Sequence, residues 1–224
     1  MVEQQKMLNL SYVFKQVYLR ILKGIKNPLI FFEENTSYHV KKGSMPYAGK
    51  DRKYRYLITW YQNRLFLKKL KKQYEKLVSS YNQKKYILVA LHYQPEETST
   101  PTGGGYADQQ LIIEVLNDFL PQDIDIVVKE HKTQFHPAYE GATGRSESFY
   151  INISQIADRI KFVSLDSNPF DLIDHAIATV TISGTIGWES VIRGTPALIF
   201  GRAWYEDMIG VFKIKTKEDL VKHW

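Results

Sequence analysis

From Lys85 onward, short β-branched apolar runs alternate with helix-length segments, and this alternation constrains the fold more than any other feature of the chain. "KYILVALHY", "DIDIVVKEH", "RIKFVS", "ATVTIS" and "ALIF" are short, rich in Val, Ile and Thr, and bounded by polar or turn-forming residues, so they read as strands. Between them, "ADQQLIIEVLNDFL" carries apolar residues at three-four spacing, and "FYINISQIA" and "NPFDLIDHA" are long enough for short helices, the last with Pro169 near its start. Strands separated by helices must run parallel, because the crossover returns the chain to the same end of the sheet. The expectation is an α/β fold: a Rossmann-like, doubly wound parallel sheet of five strands over residues 85–224, preceded by N-terminal helices.

The most informative stretch is "TISGTIGWESVIRGTPALIFG", residues 181–201. It reads as strand, glycine turn, helix, glycine, strand. Gly184 and Gly187 let the backbone turn and approach something closely. The helix opens at Thr185, a capping-type residue, and Gly194 with Pro196 beyond it marks the stop. A helix N-terminus at the carboxyl end of a strand presents N–H groups and a positive dipole end, which suit a phosphate. Glu189 lies about one turn into the helix, where an acceptor-only carboxylate can take both hydroxyls of a ribose. Plain βαβ packing, with Glu189 complementing the helix dipole, is the other reading. A capping box is a poor explanation, since Ile186 stands three residues before Glu189.

Two other strands also finish in chemically active residues. The first runs into His92-Tyr93-Gln94-Pro95-Glu96 and the second into Lys129-Glu130-His131. Strand ends converge on one crevice in this fold. A lysine, an imidazole and a helix N-terminus meeting there make a phosphate or diphosphate site. "GGGYADQ" reads as a flexible lid whose Asp108 and Gln109 open the next helix, Asp also being a common cap. Phosphate loops of the GxxxxGK[ST] type, GxGxxG, HExxH and GxSxG are all absent. The chain has no cysteine, which removes disulfides and thiolate metal sites, and no metal or cofactor is expected.

Charge divides the chain in two. Residues 1–85 carry 19 Lys and Arg against 5 Asp and Glu, while residues 86–224 carry 11 against 19. Residues 1–84 therefore read as a basic helical region and linker: a helix over 10–25, a polar linker over 33–53, and a long helix over 54–82 with Trp60, Leu67, Leu70, Tyr74, Leu77 and Tyr81 on one stripe. Such a region can touch anionic lipid, an anionic polymer or nucleic acid, or simply be a solvated face. "DRKYRYLITWYQNR" interleaves basic and aromatic residues, but no recognised RNA motif is present and no specific nucleic acid is expected. No apolar run approaches the ~20 residues of a membrane span. The opening "MVEQQKMLNL" also lacks the pattern of a secretory signal, so the expected location is cytoplasmic, with peripheral contact at the inner face of the cell membrane.

"LHYQPEETSTPTGGGYADQ", "VVKEH", "FVSLDSNPFDLIDHA" and "TVTISGTIGWESVIRGTPALIFGRAWY" resemble the capsule polysaccharide biosynthesis family in order and spacing from about Lys85 to about Ile214. That family is similar to GT-B glycosyltransferases, which have two Rossmann-like domains with the donor held mainly by the C-terminal one. It includes transferases using the CMP-activated sugar acid Kdo. The resemblance implies that Lys129 and His131 contact the donor phosphate. It implies that Ser183, Gly184, Thr185 and Gly187 form the turn by the nucleotide and that Glu189 contacts its sugar. It further implies a glycan or glycolipid acceptor, with the nucleotide-sugar a substrate and not a cofactor. Gln94, Asp108 and Gln109 are candidates for a donor loop, and Glu96 and His131 for catalysis. Two departures stand out. His131 is followed by Lys132 where the family has His-Pro, and a His136-Pro137 pair comes five residues later. One Rossmann-like domain is visible where GT-B enzymes have two, and the sequence stops within what reads as a new helix after Thr216, so residues 85–224 are expected to be the donor-binding half, truncated. Two other readings stay open: an enzyme like UDP-GlcNAc 2-epimerase, with Glu96 and Glu130 as acid and base, and a non-catalytic nucleotide-sugar or polysaccharide-binding module.

Overall fold

The computed structural model describes residues 52–83, 85–96, 103–136, 139–216 and 218–220. The helix expected over 10–25 and residues 33–51 of the expected linker lie outside the described residues; Arg52 and Lys53 already belong to a helix. A compact unit begins at Leu57.

Helix α1, Arg52–Leu77, leads into the sheet. Its stripe works only in the C-terminal half: Leu67, Leu70 and Tyr74 are buried, whereas Trp60 is exposed, with the Arg64 guanidinium 3.9 Å above its ring. Lys68, Lys69, Lys71 and Lys72 all face solvent. Tyr81 lies beyond the helix and meets Tyr86 edge-on at 5.0 Å.

Six strands follow: β1 Tyr86–Ala90, β2 Asp125–Lys129, β3 Ile160–Phe162, β4 Ala178–Thr181, β5 Ala197–Ile199 and β6 Val211–Lys213. Their spatial order is β3-β2-β1-β4-β5-β6, and every pairing is parallel. The helices between them are α2 Gln109–Phe119, α3 Phe149–Ile156, α4 Pro169–His175 and α5 Thr185–Ile192. The expected doubly wound α/β sheet is present, with one strand more than the five read from sequence. Strand β6 is only three residues long, Val-Phe-Lys, too short to show an alternating pattern against the polar segment around it. Both α2 and α4 start as their sequences indicate: Asp108 accepts from the Gln110 N–H at 3.1 Å, and Asn168 accepts from the Phe170 N–H at 3.1 Å just ahead of Pro169.

Alternate residues of one strand face opposite sides and both sides are covered, so β1 and the middle of β2 are continuous apolar runs. Ile87, Val89, Ile126 and Val128 pack under Tyr74 of α1, Ile113 and Leu116 of α2 and Tyr150 and Ile153 of α3. Tyr86, Leu88 and Val127 pack under Leu172 and Ile173 of α4. Because Leu70 and Tyr74 share this core, the part of α1 from Leu57 onward and the sheet form one unit. Chain order reverses at β1, which has β2 on one side and β4 on the other. The crevice beyond the carboxyl ends of β1 and β4 is therefore the topological switch point, where open α/β sheets bind ligands.

Candidate functional site

His92 leaves β1 at that crevice and reaches across to β4. Its Nε2 lies 2.8 Å from Thr181 Oγ1 and accepts from the Ser183 N–H at 3.3 Å. Thr181 Oγ1 in turn accepts from the Gly184 N–H at 3.2 Å. With Ser183 donating to Nε2 and the Thr181 hydroxyl free to do the same, the neutral ring carries its proton on Nδ1. Burial, reinforced by the nearby His131 and Arg145, lowers the His92 pKa to about 4, so the imidazole is neutral near pH 7. A buried polar chain, imidazole to hydroxyl to backbone amide, thus sets the geometry of the glycine turn.

The backbone of His92–Gln94 is held from both sides by glutamine amides acting as peptide surrogates. Gln109 Oε1 accepts from the His92 N–H at 2.8 Å, and its Nε2 donates to the His92 carbonyl at 3.3 Å. Gln134 Oε1 accepts from the Gln94 N–H and its Nε2 donates to the Gln94 carbonyl, both at 2.9 Å. Beneath this clamp lies a fully buried ion pair. Arg145 Nε donates to Glu130 Oε2 at 3.0 Å, with both side chains 0% exposed. Arg145 also donates to the His92 carbonyl at 2.8 Å and to Gln94 Oε1, and its guanidinium lies 4.4 Å above the Phe149 ring. Glu130 further accepts from the Tyr150 hydroxyl at 2.6 Å and from the His131 N–H at 2.7 Å. Its own N–H donates to the Tyr74 hydroxyl at 3.1 Å, which donates onward to the Val163 carbonyl at 2.7 Å. One network therefore ties together the ends of β1, β2 and β3. Gly144 passes so close that an added Cβ would sit 1.9 Å from the Gln94 carbonyl oxygen.

The residues singled out from sequence fall into two groups. Gln94 and Gln109 hold backbone: Gln94 Nε2 donates to the Ala107 carbonyl at 2.8 Å, and Gln109 is buried on His92. Asp108 is the exposed N-cap of α2. Glu130 is sequestered by Arg145, which removes it as a cleft acid or base. The others stand at the carboxyl edge. Lys129 is buried and donates from Nζ to the Leu165 carbonyl at 3.0 Å; desolvation first, and then Lys132, hold its pKa below the usual lysine range. His131 is exposed, with Nδ1 accepting from the Thr133 N–H at 3.2 Å and its ring centroid 6.5 Å from that of Tyr93. Glu96 and His136 are exposed.

At β4 the turn departs from the sequence reading in one respect. The N-cap of α5 is Gly184, with no side-chain cap, and Thr185 is the first helical residue. Neither Gly184 nor Gly187 has a positive φ. Space is what requires them. A Cβ at Gly184 would lie 2.9 Å from Thr181 Oγ1 and 3.3 Å from the His92 ring, and one at Gly187 would lie 2.4 Å from the Tyr205 hydroxyl. That hydroxyl donates to the Gly184 carbonyl, tying the β5–β6 loop to the start of α5. Glu189, half-buried on α5, is near enough to help burial raise the Tyr205 pKa. Ser183 and the glycine turn therefore lie beside His92, with Glu189 one turn along. Parallel strands stand about 4.8 Å apart, so the ends of β2 and β4, with β1 between them, are separated by ~10 Å. Of the two residues at the end of β2, His131 is near enough to act electrostatically on His92 beside the turn, whereas the Lys129 ammonium is directed to the Leu165 carbonyl beyond β3, on the side away from β4.

Arg145, Gln134, Tyr150 and Tyr205 carried no sequence signal, since each acts on a partner 15 to 53 residues away. Among the described residues no group of three or more His, Asp or Glu is placed to hold a metal ion, and no helix is long and apolar enough to cross a membrane.

The model of the capsule polysaccharide biosynthesis protein family matches residues 36–221. Among solved structures, a β-Kdo 2,7 transferase, KpsC of Thermosulfurimonas dismutans, is 16% identical with a TM-score of 0.46, over 70% of this chain and 51% of that one. A β-Kdo 2,4 transferase of the same KpsC is 15% identical with a TM-score of 0.43, over 77% and 52%. The UDP-GlcNAc 2-epimerase of Methanocaldococcus jannaschii is 16% identical with a TM-score of 0.41, over 68% and 40%. The chain spans about half the length of the transferase structures it matches. No curated protein matches it.

Proposed function

The chain belongs to the capsule polysaccharide biosynthesis family, and from that premise we propose that it binds the nucleotide-sugar donor of a glycosyltransferase making a surface polysaccharide. The observation that carries this reading is the start of α5 at the switch point, a helix N-terminus without a side-chain cap, fixed by His92 and Thr181 and followed by Glu189. When a glycosyl bond to phosphate breaks, negative charge grows on the departing phosphate. Preorganised donors stabilise that charge more than they stabilise the ground state. The N–H groups of Thr185 and Ile186 supply such donors, joined by His131 and, once its ammonium turns from the Leu165 carbonyl, by Lys129. Glu189 takes the ribose hydroxyls as an acceptor-only group. A CMP-activated sugar acid such as CMP-Kdo is the donor we favour, and a glycan or glycolipid is the acceptor. Glu96, exposed beyond β1, and His131 are the candidates to accept the acceptor's proton.

Calorimetric titration with CMP, UDP and GDP tests the reading, with CMP expected to bind most tightly. Replacing Glu189 by Gln should weaken CMP binding about 10- to 150-fold, the loss of one charge-assisted hydrogen bond. Binding equal to wild type would reduce Glu189 to a helix-dipole residue, and no binding of any nucleotide would sink the donor assignment.

A further inference from the structure

A second concavity lies away from the switch point. It is a cleft of about 450 Å³ between the C-terminal half of α1 and the loops leaving β2 and β3. That volume falls in the range of small-molecule sites, about 300–1,000 Å³. Its polar lining comprises Lys71, Glu75, Lys132, His136, Ser164 and Asp166, and Phe135 contributes an aromatic wall. Two ion pairs run along it, Lys71–Glu75 at 3.6 Å and Lys132–Asp166 at 3.4 Å, with all four side chains exposed. Both are longer than the 2.7–2.9 Å of a direct charge-assisted hydrogen bond. Each pair therefore presents an ammonium and a carboxylate side by side, neither fully committed to the other.

We infer that this cleft is a saccharide subsite, taking one pyranose unit of the acceptor glycan. A sugar ring carries hydroxyls, each both donor and acceptor, around its edge and C–H groups on its faces. A hydroxyl between Lys132 and Asp166 accepts from the ammonium and donates to the carboxylate, and a second does the same between Lys71 and Glu75. The ring face then lies on Phe135 and the apolar walls of Val78 and Leu165. A phosphate would gain from the lysines but be repelled by Glu75 and Asp166, so the mixed lining favours a hydroxyl-rich ligand over a plain anion. The cleft adjoins the donor groups: Lys132 follows His131, and the Leu165 carbonyl in its wall receives the Lys129 ammonium. The term acceptor rests on the donor reading above; saccharide binding itself does not.

Saturation-transfer NMR on the full chain decides the matter, with the methyl glycosides of a neutral hexose and of an acidic sugar as probes and CMP as competitor. The expected result is transfer to at least one glycoside that survives saturating CMP. In Glu75→Ala/Lys132→Ala, affinity should fall at least about tenfold, as losing charged hydrogen bonds requires, while the urea midpoint and CMP affinity stay at wild-type values because both residues are exposed. Transfer abolished by CMP, transfer undiminished in the double variant, or no transfer from either glycoside would each overturn the assignment. If CMP fails to bind, the donor reading falls, and the comparison of wild type with variant still decides the cleft.

Discussion

Replacing Arg145 by Met tests the framework that holds the three strand ends. Met keeps most of the side-chain volume and removes the charge and all guanidinium donors. Glu130 would then sit 1% exposed with only the Tyr150 hydroxyl and the His131 N–H as donors to its carboxylate, and the His92 carbonyl and Gln94 Oε1 would each lose a donor. Breaking a buried pair from one side typically costs about 3–5 kcal/mol, because the partner charge is left uncompensated. Against a total stability of about 5–15 kcal/mol this is a large fraction. With a urea slope near 3 kcal/mol/M, the unfolding midpoint should fall by ~1–2 M. The double variant Glu130→Gln/Arg145→Met, with no charge left to strand, should recover part of the loss. The assay is urea unfolding followed by circular dichroism for wild type, both single variants and the double. A cost below about 1 kcal/mol for Arg145→Met, or a double variant as unstable as the sum of the singles, would refute the argument that charge compensation holds this site.

Three further outcomes are expected. His131→Ala should weaken CMP binding more than cytidine binding, while His136→Ala leaves both unchanged; the opposite pattern in calorimetry would move the phosphate contact to His136. A histidine titrating at about 4 when folded and near 6.5 when unfolded contributes about 3 kcal/mol that is fully present above pH ~6.5 and is lost as pH falls toward 4, since in that window the unfolded chain binds the proton and the folded one does not. Urea midpoints at about pH 7 and about pH 4.5 should therefore drop further for wild type than for His92→Gln, and equal drops would remove His92 from the acid response. Gly187→Ala places a methyl against the Tyr205 hydroxyl and should cost about 1–3 kcal/mol, read as a lower thermal midpoint that Tyr205→Phe in the same chain partly restores.

How much of this was legible in the sequence depends on the distance over which each interaction acts. The β4–turn–α5–β5 unit is local: Gly194 stops the helix at a φ of +89°, and the strand runs flanking it are apolar, so the order of elements could be read directly. The purpose of Gly184 and Gly187 could not, because the atoms they make room for belong to His92 and Tyr205, which the fold brings in from elsewhere. Gln94 and Gln109 looked like ligand-binding residues because polar side chains at strand ends often are. In the structure they satisfy buried backbone or a buried guanidinium, a demand that exists only once β1, β2 and their loops are packed together. Glu130 shows the same effect in reverse. Next to His131 it reads as a possible acid, yet Arg145, 15 residues on, folds back and neutralises it.

The strand order also governs how the chain reaches this state. Strand β1 is central, but Ile87 pairs with Ala178, about 90 residues later. At a synthesis rate of ~5–20 residues per second, that partner emerges roughly 5–20 s after β1 does. Throughout that interval the flank of "YILVA" that β4 will occupy has no partner, and closing so long a loop makes the pairing slow even in the free chain. A polypeptide ending before Ala178 would keep that edge open, so nascent and prematurely terminated chains, more than the finished protein, are where chaperone capture and aggregation should concentrate.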